Sequence, residues 1–144
     1  MSDLTVGLRG GMEMVVQRHH LASILGNIGA SVLSTAHVVL VLEQAARNAI
    51  EGRLPEGMIT VGTKVNVRHL AAAPLGATVR AEAYLKEING RRLLFEVAAY
   101  DEVEKISEGE NEQLIVSLDR FLKRVIDKQV AVNMKKYRDP HDQG

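Results

Sequence analysis

A chain of 144 residues, 46% hydrophobic and 25% charged, has the size and composition of one globular domain with an ordinary core. Its 18 Lys and Arg balance its 18 Asp and Glu, so no net field draws it to nucleic acid or to an anionic membrane. The absence of cysteine excludes disulfides, thiolate nucleophiles and Cys-ligated zinc. With no basic and apolar leader and no apolar run near the ~20 residues that cross a bilayer, the expected setting is the cytoplasm.

In chain order, residues 12–17, MEMVVQ, suit a strand, and Gly10-Gly11 before them read as a turn or bulge. Residues 18–31 are ambiguous, a short helical turn and then a loop. From Ser34 to Glu51 a helix is predicted: Ser34 or Thr35 can cap it, and no Gly or Pro interrupts before Gly52 and Pro55. Val38 to Leu42 are all apolar, which predicts a helix buried on every side.

Four strands follow, at 58–70, 77–88, 91–103 and 105–118, with turns at Ala73-Pro74-Leu75-Gly76, at Asn89-Gly90 and in the acidic stretch Asp101 to Glu104. Strands joined by tight turns run antiparallel, so a meander is expected, curled over an apolar filler. The buried helix is that filler. Residues 118–136 space Leu118, Phe121, Leu122, Val125 and Val132 on one face of a terminal amphipathic helix, and 137–144 read as a frayed tail. The pattern is α+β: about five antiparallel strands wrapped round one long helix, the hotdog arrangement, over a single domain.

Against this frame the strings STAHVVLVLEQAA, VGTKVNVRHLAAAPLGATV and INGRRLLFEVAAYDE resemble the thioesterase family typified by fluoroacetyl-CoA thioesterase, from about Val6 to Arg124. The resemblance implies a hotdog enzyme acting on an acyl-CoA, without metal or redox cofactor. It also implies a homodimer with active sites at the subunit interface and a catalytic constellation of Thr35, Glu43 and His69. Gly62, with Thr63 beside it, falls where the family holds the substrate carbonyl. His37 and Asn111 join them as substrate-binding candidates.

Chemistry agrees with this assignment. A thioester needs an activated nucleophile and help for the developing oxyanion. An apolar stretch around Glu43 disfavours the charged carboxylate and strengthens it as a base; it can activate water or attack the carbonyl itself. Thr35 lies at a helix N-terminus, where orphan N–H groups favour negative charge. His69 can orient or relay a proton. Gly62 allows close approach to the backbone, and its N–H is a candidate oxyanion donor.

Each residue also has a plainer reading. Thr35 can be an N-cap only, and Glu43 can pair with Arg47 one turn on. His69 can be structural, Gly62 can mark a bulge, and His37 can belong to the core or an interface. His19-His20 lacks a ligand partner at helical spacing, which argues against a metal, and Lys135, Lys136 and Arg138 suit a solvated helix end or the phosphates of a CoA.

One departure stands out. Where the family commonly has Gly-Thr-His-Glu-Arg on the last strand, this chain has Gly109-Glu110-Asn111-Glu112-Gln113, losing a histidine and an arginine. Ala36 also replaces the family's usual proline after the threonine. Fluoroacetyl specificity is therefore not carried over with the family's fold and reaction. The other classes open to such a chain are an acyl-CoA binding module without turnover and a purely structural dimerisation domain.

Overall fold

The computed structural model describes residues 3–138. They run as β1 (Arg9–Val15), a 3-10 turn (Arg18–His20), α1 (Thr35–Ala49), β2 (Met58–His69), β3 (Thr78–Asn89), β4 (Arg92–Tyr100), β5 (Lys105–Ser117) and α2 (Leu118–Lys136). All five strands join one antiparallel sheet in the order β1-β3-β4-β5-β2.

Alternation along the strands sorts the side chains. Val79, Ala81, Ala83 and Leu85 of β3, with Leu93, Phe95, Val97 and Ala99 of β4, are buried on the face that receives α1. From the helix, Val38, Val41, Leu42, Ala45, Ala46 and Ala49 meet them. Each large apolar side chain taken from water contributes roughly 1.5–3 kcal/mol, so this single layer contact is what holds the sheet in its curl.

Three features differ from the sequence reading. β3, β4 and β5 do form a meander, and Gly90, at φ +62°, opens the two-residue loop between Asn89 and its register partner Arg92. β2, however, pairs with β5 and not with β3. The turn at Ala73-Pro74-Leu75-Gly76 is present, with Ala77 N–H donating to Pro74 O at 3.1 Å, but it joins no hairpin: Ala73 O accepts from Leu33 N–H at 2.8 Å and Pro74 bridges Val32, in the segment before α1. β2 is left as an edge twelve residues long.

Gly10 and Gly11 lie inside β1, whose pairing to β3 shows no bulge. A Cβ at Gly10 would run into the backbone of Ala45 and Ala49, so the glycine lets α1 sit directly on the strand and makes no turn.

Finally, α1 is not covered all round. The sheet takes one side only, and Leu40 on the other is 55% exposed. The stripe on α2 likewise stays open, with no buried residue on that helix. Residues 139–144 of the expected tail lie outside the described residues. Among those described, no helix is long and apolar enough to cross a membrane.

Candidate active site

The start of α1 divides the work between two adjacent hydroxyls. Ser34 is the N-cap: its Oγ accepts from His37 N–H at 3.0 Å and shares a second hydrogen bond, 2.7 Å, with His37 Nδ1. Thr35 is thereby free of capping. Its Oγ1 instead lies 2.9 Å from Nδ1 of His69, the last residue of β2. The imidazole is half-buried, and its buried Nε2 meets no protein hydrogen-bond partner among the described residues. An unpaired buried polar group costs about 1–3 kcal/mol.

Two turns further along the helix, Glu43 is half-buried and directs its carboxylate against Gly62. Oε2 occupies the space a Cβ at position 62 would fill, so only glycine admits it. Arg47 makes no ion pair with Glu43; its Nη2 donates to Gln44 Oε1 at 3.0 Å. The plain reading of Glu43 as half of a surface ion pair therefore fails. At Gly62 the β2–β5 register slips: Gly62 faces Gln113, Lys64 faces Glu112, and Thr63 has no partner. The bulge that sequence offered as an alternative to a functional glycine is present as well, and it loosens the backbone ladder where the carboxylate lies.

Within one chain the groups form two pairs. Thr35 with His69 stands at one end, Glu43 with Gly62 at the other, and eight helical positions of about 1.5 Å each hold them roughly 12 Å apart along the axis.

The remaining sequence candidates are placed as follows. Thr63 is exposed, with its hydroxyl donating to Glu112 Oε1 at 2.9 Å. Asn111 is 1% exposed and spends its amide on Lys64 O at 3.1 Å. His37 joins a cluster that sequence spacing does not announce: its ring centroid is 5.0 Å from that of His20, which is 3.9 Å from that of His19. Burial, then the proximity of His19 and His37, hold the His20 pKa below its ordinary value. Among the described residues no three His, Asp or Glu are arranged to grip a metal ion. A cavity of about 590 Å³ opens between the end of α1 and the start of β2, flanked by Gln44, Asn48, Met58, Ile59 and Thr60.

Gln113 is the residue that sequence reasoning left without a role beyond its departure from the family. It is 1% exposed, and it carries the hydrogen bonds from Thr60 and to Asn111. The signal was available: strand alternation sets Asn111, Gln113 and Ile115 on one face, two amides where apolar residues are expected.

A sheet of five antiparallel strands curled round one helix, with polar groups gathered where that helix meets the edge strand, defines a hotdog-fold protein. Residues 16–119 match the family described as fluoroacetyl-CoA-specific thioesterase, and the chain belongs to that family. The fluoroacetyl-CoA thioesterase of Streptantibioticus cattleyicolor is 36% identical over 100 residues, covering 69% of this chain and 72% of that one. A solved structure of a fluoroacetyl-CoA thioesterase mutant in complex with acetyl-CoA superposes with a TM-score of 0.81 at 31% identity, over 87% of this chain and 98% of that one. A hot-dog-like protein of Thermanaerovibrio acidaminovorans gives 0.80 at 27% identity, over 87% and 93%. As a member of this family, the protein is a thioester hydrolase.

Proposed function

We propose that the protein hydrolyses the thioester of a short or medium acyl-CoA in the cytoplasm, in a site completed by a second copy of itself. The observation that carries this reading is the Glu43 carboxylate held against Gly62 at a bulge, unpaired by Arg47. Water, or the carboxylate itself, adds to the thioester carbonyl, and charge develops on the oxygen. Main-chain N–H groups at the Gly62 bulge or at the Thr35 end of α1 receive that oxyanion. The C–S bond then breaks, and the thiolate leaves as CoA thiol, taking up the proton that Glu43 removed from the attacking water or, in the direct-attack route, one from solvent. Thr35 positions the reacting water or carbonyl, and His69, bonded to its hydroxyl, fixes its orientation. In the direct-attack route one water then hydrolyses the mixed anhydride, releasing the acid and returning Glu43 to its carboxylate.

The second copy is called for by the separation of the two pairs. β2 is an unpaired edge, and the midpoint between Gly62 and His69 falls beside Val65 and Asn66. A two-fold axis at that point would set Gly62 of one chain opposite His69 of the other. It would also pass near Val39, midway between Thr35 and Glu43, next to the exposed Leu40. Each composite site would then combine Thr35 and His69 from one copy with Glu43 and Gly62 from the other.

The test is thiol release from a panel of acyl-CoAs, with acetyl- and fluoroacetyl-CoA as its shortest members, by the wild type and by Glu43→Gln. Turnover lost in a folded Glu43→Gln protein supports the reading. Equal rates in the two proteins would sink it.

A further inference from the structure

Two buried amides on β5 are wired to both sides of the Gly62 bulge. Thr60 Oγ1 donates to Gln113 Oε1 at 2.8 Å, Gln113 Nε2 donates to Asn111 Oδ1 at 2.8 Å, and Asn111 Nδ2 donates to Lys64 O at 3.1 Å. The same Nδ2 stands 3.5 Å from Glu112 O. The run leaves β2 two residues before Gly62, crosses to β5, and returns to β2 two residues after it. It has one polarity throughout, from hydroxyl to amide to amide to main-chain carbonyl: a flip of Asn111 would break two of its bonds, and a flip of Gln113 would set two N–H or two C=O groups against Asn111 in place of its bond there.

Such a construction is costly to bury. An amide without its partners loses about 1–3 kcal/mol, and apolar side chains at positions 111 and 113 would fill the same face with no such exposure to loss. What the amides supply is buried constraint on a stretch of backbone whose other side-chain tie, Thr63 Oγ1 donating to Glu112 Oε1 at 2.9 Å and to Glu112 O at 3.2 Å, is exposed to solvent. Gly62, Thr63 and Lys64 are exposed, the ladder slips between them, and the outer edge of β2 is open. We propose that Thr60, Gln113 and Asn111 form a positioning brace that fixes the Gly62 backbone, and through it the Glu43 carboxylate, in the geometry turnover requires. This rests on the reading above that Gly62 and Glu43 sit at the reacting centre. None of the three touches substrate in this account; they are positioning residues.

The brace is tested with Gln113→Met, Thr60→Val and their combination, measuring kcat and KM on the most active acyl-CoA of the panel together with the thermal midpoint. The loss expected for Gln113→Met is at least about ten-fold in kcat with KM held within about two-fold, because loosened geometry removes transition-state stabilisation and not binding. Thr60→Val, which deletes only the outermost bond, lowers kcat in the same sense. The double variant falls no further than Gln113→Met, since both changes cut one wire. Thr60→Ser, which keeps the donor, restores the rate. A merely structural role would lower the midpoint and leave kcat of the folded protein at the wild-type value, and that result overturns the proposal. If Gln113→Met fails to fold, Thr60→Val decides alone: wild-type kcat in that variant overturns the brace. Glu43→Gln separates the two failures. Full turnover there removes the reading of the site, whereas an inactive Glu43→Gln beside fully active brace variants removes only the brace.

Discussion

Thr35 Oγ1 and His69 Nδ1 stand 2.9 Å apart although 34 positions separate them in the chain. The contact exists because Ser34 takes the capping role that either hydroxyl could have filled. Stability and turnover should therefore separate at these neighbours. Ser34→Ala removes the cap and should cost about 1 kcal/mol in chemical denaturation while activity persists in the folded fraction. Thr35→Val should stay within about 0.5 kcal/mol of wild type, yet lose on the order of a hundred-fold in kcat as the positioned hydroxyl disappears. The reverse pattern would return Thr35 to a capping role.

Gly62 invites a substitution whose effect is confined to one carboxylate. Its backbone is not in the left-handed region, and the atom nearest an added Cβ is Glu43 Oε2, the tip of a flexible side chain. Gly62→Ala should fold with a denaturation midpoint close to wild type, because the carboxylate can swing aside. That swing misplaces it by an ångström or more, for which a fall of about a hundred-fold in kcat is expected. Undiminished turnover in Gly62→Ala would mean the carboxylate does its chemistry elsewhere, or none.

Much of this arrangement is legible in the string of residues. The helix start, the hairpin at Gly90 and the alternation of β3 and β4 follow from local rules, and the fold class follows from them together. The family resemblance then selected Thr35, Glu43, His69 and Gly62. The partners of those residues were not legible. Local propensity cannot say that β2 pairs with β5 in preference to β3, and it is that pairing which sets Gly62 opposite Gln113. Gly10-Gly11 suggest a turn or bulge in sequence, because a glycine pair looks the same whether it bends the chain or admits a helix. Its purpose depends on Ala45 and Ala49, far along the sequence. Leu40 belongs to an apolar run that suggests burial, yet it is 55% exposed, because a sequence does not say how many sides a sheet will cover.

The histidine cluster gives stability a pH dependence of definite sign. His20 Nδ1 accepts from Gln17 N–H at 2.9 Å, so a proton on that nitrogen would break the bond, in a buried setting beside His19 and His37. Burial first, then those two neighbours, lower its folded pKa. The unfolded chain then takes up the proton first, near pH ~6.5, and folding must work against it at lower pH. The stabilisation is complete above about pH 6.5 and is lost as pH falls through that value toward the lower folded pKa. Urea midpoints measured from about pH 8 to about pH 5 should fall for the wild type and fall less steeply for His20→Gln. Parallel curves would show that folding does not depress the protonation of His20. Carboxylates add their own acid loss, but near pH ~4, below this window.

Whether Thr35 and Glu43 serve the same site from different copies can be decided by mixing two dead proteins. Thr35→Val and Glu43→Gln each spoil every site when alone, whichever copy supplies the groups. In a mixed pair, a composite site that draws Thr35 and His69 from one subunit and Glu43 and Gly62 from the other is doubly mutated on one side and intact on the other. After random exchange of equal amounts, half of the pairs are mixed, so about one site in four should regain wild-type activity. Co-expression with two tags, followed by tandem purification of the mixed pair, should raise that to about one site in two. If both groups instead serve from one chain, the mixture stays as inactive as its parents, and the two-fold arrangement along β2 is excluded as the source of the site. Leu40→Arg gives an independent check, since a charge on the 55% exposed residue next to the proposed axis should shift the protein toward monomer in sedimentation and abolish turnover together.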